Sequence, residues 1–120
     1  ENKTRFRSKI MDLMIMLSLI WIHFIADFIM QSDRIALNKS KSNLILLQHV
    51  VIYGIFLLPF GLLFALVNAG LHFITDYCTS RATSALWKNN QRHWFFVVIG
   101  LDQAIHMTCL FVSYVMLKGL

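Results

Sequence analysis

The sequence is poor in everything that breaks or decorates a chain. It has one proline, Pro59, and five glycines in 120 residues, and Asp, Glu, Lys and Arg together make up only 14% of it. So few breakers exclude a loop-rich scaffold or a low-complexity linker, and the chain reads as one domain over residues 1–120. So little charge cannot coat the surface of a water-soluble domain. The two cysteines, Cys78 and Cys109, stand in separate apolar blocks with no CxxC spacing, which excludes a zinc ribbon and leaves the redox compartment open. Neither a Ser-centred nucleophile elbow nor a Gly-rich phosphate loop is present.

What is present is apolar sequence in long blocks, 58% of the residues in all. Blocks of this length are the mark of membrane-spanning helices. The first is too long, and too polar near its end, for the apolar stretch of a signal peptide. Between Leu44 and Tyr77 the apolar run is too long for one crossing, and "LLPFGLL", with Pro59 and Gly61, supplies the break. The blocks predict four transmembrane helices at about 10–31, 42–58, 62–86 and 94–117, in an all-α, antiparallel bundle. Trp87 and Trp94 bracket the third gap as interface anchors do.

Lysine and arginine gather at the ends of these blocks and leave a formal net charge of +5. Such clusters meet anionic lipid headgroups, and no nucleic-acid motif accompanies them. Lys3, Arg5, Arg7, Lys9 and Lys118 fall on one side of a four-span topology, and Arg34, Lys39, Lys41, Arg81, Lys88 and Arg92 on the other. A division this even sets no orientation.

Polar residues inside the apolar blocks repeat a pattern. "HFIAD" places His23 and Asp27 four apart, "HFITD" repeats the pair as His72 and Asp76, and "DQAIH" reverses it as Asp102 and His106. Random placement yields about 0.4 such pairs. His49 is a lone histidine in the second block, and His93 falls in the polar third gap, where it is expected to be solvated. Residues four apart share a helical face. Alternating helix direction brings the late positions 23 and 27, the early 49, the late 72 and 76 and the early 102 and 106 to one level, near the loops of Lys39 and Arg81.

Three carboxylates at one depth of a membrane are costly unless neutralised. Pairing with histidine, a divalent metal and a haem are the available answers, and a haem leaves the aspartates unexplained. His23, Asp27, His49, His72, Asp76, Asp102 and His106 are candidate ligands for one or two ions of zinc, manganese or iron. Two divalent ions turn a charge of about −3 into about +1, which a hydroxide reduces. Gln31, Gln103 and Asn68 share the same helix faces and are candidate hydrogen-bonding partners of the ligands, or else interhelical bonds. Tyr53, one turn beyond His49, and Ser80, at the end of the Asn68 stripe, have the same two readings, and Asp12 falls near the opposite surface.

"HFIADFIMQSD", "NKSKSNLILLQHVVIY", "LHFITDY" and "LDQAIHM" together resemble a family of small polytopic membrane proteins of bacteria and their phages, catalogued as a domain of unknown function. The resemblance runs from about Ile20 to Leu110. It implies that His23, Asp27, Gln31, Lys39, His49, His72, Asp76, Asp102, Gln103 and His106 form a shared site, in a bacterial inner membrane or encoded by a phage, and it implies no particular reaction. More loosely, the motif style is similar to that of inner-membrane proteins named as metal-dependent hydrolases.

Two classes of function fit. One is a membrane-embedded, metal-dependent hydrolase of a phosphoester or lipid-like substrate. In it Asp27, Asp76 and Asp102 do the chemistry with the metal, and Lys39, Lys41, Arg34 and Arg81 hold an anionic headgroup at the mouth. The other is non-catalytic: a metal- or proton-handling protein, or a structural membrane subunit of an oligomer or larger assembly.

Overall fold

A computed structural model describes residues 1–119, and among them every regular element is helical. Helix α1 spans Asn2–Phe24 and continues as a π turn, Ile25–Ile29. A short helix, α2 (Asp33–Asn38), leads to α3 (Asn43–Leu57), and a 3-10 turn, Leu58–Phe60, leads to α4 (Leu62–Lys88). The last helix, α5, spans Arg92–Leu117. Four of these segments are long and apolar enough to cross a membrane: Asn2–Ile29, Asn43–Phe60, Leu62–Lys88 and Arg92–Leu117. The protein is an all-α polytopic membrane protein.

The ends of the elements follow from local chemistry. Ser32 and Ser42 cap α2 and α3, their hydroxyls accepting from the backbone N–H of Ile35 and Ile45. Pro59 stands in the 3-10 turn, and Gly61 closes it at φ 124°, a conformation that side chains oppose. The turn joining α4 to α5 is shorter than the sequence predicts. Only Asn89, Asn90 and Gln91 separate the two helices, with Asn90 at φ 59°, so His93 is an exposed residue of the first turn of α5 rather than of a loop. Helix α1 begins eight residues before the expected position 10, because nothing in "NKTRFRSK" interrupts it once it leaves the apolar layer.

Helix α4 packs along α3 and α5, and α1 lies against the same two, so α1 and α4 occupy opposite corners of a four-cornered bundle. Gly54 of α3 faces Ala69 of α4, where a Cβ on the glycine would make van der Waals contact with the Ala69 Cβ at 3.4 Å, so small residues line this interface. Near the Pro59 end, Asp12 of α1 accepts from Tyr114 Oη and Lys118 Nζ, both at 3.0 Å. Residues before Asp12 therefore project past the bundle as a basic arm about 15 Å long.

The interior inverts the usual distribution of polarity. Among the described residues nine buried ones are polar against ten that are apolar, while Met14, Leu17, Leu66, Ile74, Val112 and Met116 are exposed. That is the expected arrangement when lipid is the solvent. The apolar core, with Leu19, Tyr53, Leu57, Phe64 and Leu110, fills the half of the bundle nearer the Pro59 turn.

Candidate metal centre

The four spanning helices deliver their histidines and aspartates to one layer above that core. His23 is in the last turn of α1, Asp27 is the middle residue of the π turn, and His49 is on α3. His72 and Asp76 come from α4, and Asp102 and His106 from α5. The layer is near the midpoints of α4 and α5 rather than at their ends. Asp76 is 14 residues from the start of α4, about 21 Å along its axis. His49 is only about 9 Å from the start of α3. The α4–α5 hairpin, longer than expected, thus rises beyond α3.

The π turn shapes the site. Its wide ring, closed by the Met30 N–H donating to the Ile25 carbonyl at 2.8 Å, rotates Asp27 inward at the end of α1. One carboxylate oxygen, Oδ1, then lies 2.9 Å from His49 Nε2 and 3.4 Å from His72 Nε2. Asp76 Oδ2 lies 3.3 Å from His49 Nε2 and 3.4 Å from His72 Nε2, and the two nitrogens are 3.0 Å apart. Four donor atoms at about 2.0–2.1 Å from a tetrahedral ion are separated by about 3.3–3.4 Å. Five of the six separations here fall between 2.9 and 3.4 Å. Two imidazoles and two carboxylates suit zinc, manganese or iron. The residues fit a divalent ion.

A second group, Asp27, Asp102 and His106, shares one aspartate with the first. Its centre is partly taken. The Gln103 amide donates to Asp27 Oδ2 at 3.2 Å and to Asp102 Oδ2 at 3.0 Å, sitting between the carboxylates that a second ion would bridge. His106 Nε2 lies 3.1 Å from Asp76 Oδ1 and 3.2 Å from Asp102 Oδ2.

The orientation of Gln103 fixes that of His23. With its N–H groups turned to carboxylates, Gln103 presents Oε1 to His23, whose Nε2–H donates to it at 2.8 Å. In the neutral ring Nδ1 is then an acceptor, and the Tyr53 hydroxyl donates to it at 2.8 Å. Both ring nitrogens are engaged, and His23 stands outside both metal groups. Tyr53 also stacks on His72 with ring centroids 4.0 Å apart, and His72 stacks on His106 at the same spacing. This stack holds the His72 ring, because its buried Nδ1 has no hydrogen-bond partner.

The basic residues expected at the mouth diverge. Lys39 reaches inward and donates to Asp76 Oδ2 at 2.8 Å, with 17% of its side chain exposed. Arg34 donates to Gln48, Arg81 donates to Asn43 and lies 3.7 Å over the Tyr77 ring, and Lys41 is exposed. Asn68 is drawn to Phe64 and Ser113, where it joins α4 to α5 away from the carboxylates. Gln31 lines a cavity of about 180 Å³ that Asp27, Asp76, Asp102, Lys39 and Ser80 also border. One contributor carried no sequence signal. Thr79, three residues past Asp76, donates its hydroxyl to Asp102 Oδ1 at 2.6 Å across the α4–α5 interface.

Four membrane-spanning helices around a buried cluster of histidine and aspartate, positioned to hold a metal ion, define the class of this protein. The chain belongs to the family described as "Protein of unknown function (DUF3307)", whose profile matches residues 15–119. No curated protein and no solved structure matches it.

Proposed function

We propose that this protein is a membrane-embedded hydrolase of a phosphoester or lipid-like substrate, dependent on one divalent ion held by Asp27, His49, His72 and Asp76. The spacing of those four donor atoms, beside a polar cavity, carries the reading. Charge supports a single ion. Three aspartates and the Lys39 ammonium leave about −2 with neutral imidazoles, which one divalent cation cancels in a medium where residual charge is costly. The Gln103 amide stands where a second ion would bind. When bound, the ion supplies a Lewis acid and a source of hydroxide near neutral pH.

The chain supplies the rest. Asp102 is the carboxylate best placed to accept a proton: it borders the cavity, keeps 13% exposure, and is oriented by Thr79 and Gln103. Lys39 spends one N–H on Asp76 and has two more for an anionic substrate oxygen. One observation favours a non-catalytic metal- or proton-handling protein instead: four protein donors already complete a tetrahedron, as in closed structural sites.

Metal analysis and turnover separate these readings. Protein purified without chelator should carry about one equivalent of zinc, manganese or iron. It should cleave a chromogenic phosphoester, and Asp102→Asn should slow cleavage at least about 100-fold while keeping the metal. Metal below about a tenth of an equivalent in metal-supplied preparations sinks the metal reading. A full equivalent with no turnover of water-soluble or amphiphilic phosphoesters leaves the non-catalytic reading.

A further inference from the structure

Two residues that line the cavity each carry a buried polar atom without a hydrogen-bond partner. Ser80 is 92% buried, with 8% of its surface exposed, and its Oγ has no partner; Gln31 Oε1 is buried and unpartnered as well. Both residues line the cavity beside Asp76 and Asp102. Buried polar groups are satisfied in nearly all folded proteins, so two exceptions on residues that line one cavity point to a ligand there. At about 180 Å³ the cavity takes about six waters, or a small polar group.

The wall of the cavity changes character toward α1. Phe28, on the π turn, lines it and is 48% exposed. Phe28 stacks on Phe24 with centroids 6.0 Å apart, and Phe24 is exposed too, so the pair continues the lipid-facing surface of α1. Ile99 of α5 lines the same cavity. A polar chamber thus shares an apolar edge with lipid. That shape suits an amphiphile entering from the bilayer better than a solute arriving from water.

We propose that this cavity is a headgroup site for a phosphate-bearing amphiphile. Ser80 and the free N–H groups of Lys39 take phosphate oxygens, Gln31 Oε1 accepts from a headgroup hydroxyl, and the tail leaves between Phe28 and Ile99. The proposal rests on the metal reading above, because three carboxylates without a divalent ion would repel a phosphate.

Ser80 offers a clean test, since Ser80→Ala breaks no hydrogen bond of the fold. Binding of dodecyl phosphate to the metal-loaded full chain in dodecyl maltoside is measured by calorimetry, with metal content determined on the same sample. Wild type should bind dodecyl phosphate well above inorganic phosphate, and chelator should abolish binding. Ser80→Ala should weaken it about tenfold, as the loss of a hydrogen bond to a charged group does, with unchanged thermal unfolding. Equal binding by the variant overturns the proposal, and so does binding indifferent to chelator. Inorganic phosphate competing as well as dodecyl phosphate makes the ligand a free anion and overturns the amphiphile. A metal-replete wild type that ignores dodecyl phosphate fails this proposal alone. A metal-free wild type fails the metal reading and this one with it.

Discussion

His49 and His72 point the same nitrogen, Nε2, at each other across 3.0 Å, and Asp27 Oδ1 lies 2.9 Å from the first and 3.4 Å from the second. Two neutral imidazoles cannot both donate along that line. Either they share one proton or they face one cation. The pair is therefore the most informative place to substitute.

His49→Ala and His72→Ala should each reduce bound metal to below about a fifth of the wild-type content, because each removes one of four donors. His23→Ala should retain metal and lower its affinity by about 10-fold to 100-fold, since His23 acts through Gln103 and Tyr53. Metal content by plasma mass spectrometry, with competition by a chromogenic chelator, distinguishes the two classes. Equal losses at His23 and His49 would contradict the assignment of His23 to a supporting role. His93→Ala, on the exposed first turn of α5, should change nothing.

Lys39 is a fixed cation on a buried carboxylate, so Lys39→Gln should lower the stability of the metal-free protein. The cost should be about 1–3 kcal/mol, less than for a fully buried pair because the ammonium keeps some exposure. The same change should raise metal affinity, since an ammonium no longer competes for Asp76 Oδ2. Thermal unfolding in detergent, with and without metal, tests both signs. Lys41→Gln, with an exposed side chain, should be silent. Identical unfolding of the Lys39 and Lys41 variants would rule out the ion pair as a stabilising element.

Asn68 binds Ser113 rather than the carboxylate layer. Asn68→Ala should therefore cost about 0.6–2 kcal/mol of stability, in the range of interhelical hydrogen bonds in membranes, and leave metal content unchanged. A variant of normal stability that has lost its metal would return Asn68 to the site.

The four-span topology places the Pro59 turn and the α4–α5 turn on opposite faces of the membrane. Single cysteines at positions 60 and 90, in a background with Cys78 and Cys109 replaced by serine, should react with an impermeant maleimide from opposite sides. Same-side labelling would dissolve the common layer, since the depth relation depends on alternating helix direction.

Much of this site was written in the sequence because helix geometry is periodic and lipid is unforgiving. A histidine four residues from an aspartate shares its face whatever the partner helix does. Within a run such as "LMIMLSLIWIHFIAD", that face has to turn inward. The apolar blocks and the Pro59–Gly61 break likewise depend on local chemistry, whereas the short α2, capped by Ser32, was not among the helices the apolar blocks predict.

What the periodicity could not carry was choice among neighbours on one face. His23 and His72 each sit four residues before an aspartate, yet the Gln103 amide claims one and leaves the other facing His49. Lys39 and Lys41 are two residues apart in one loop, and only Lys39 reaches Asp76. Thr79 matters through Asp102 on another helix. Four membrane-crossing helices with their histidines and aspartates at one level were legible in the residue pattern, because hydrophobic burial and the 3.6-residue turn act within each helix. Which atoms meet was set between helices, because separations of 3 Å depend on helix rotation, on the π turn at Asp27 and on contacts such as Gly54 against Ala69, none of which is a property of any one segment.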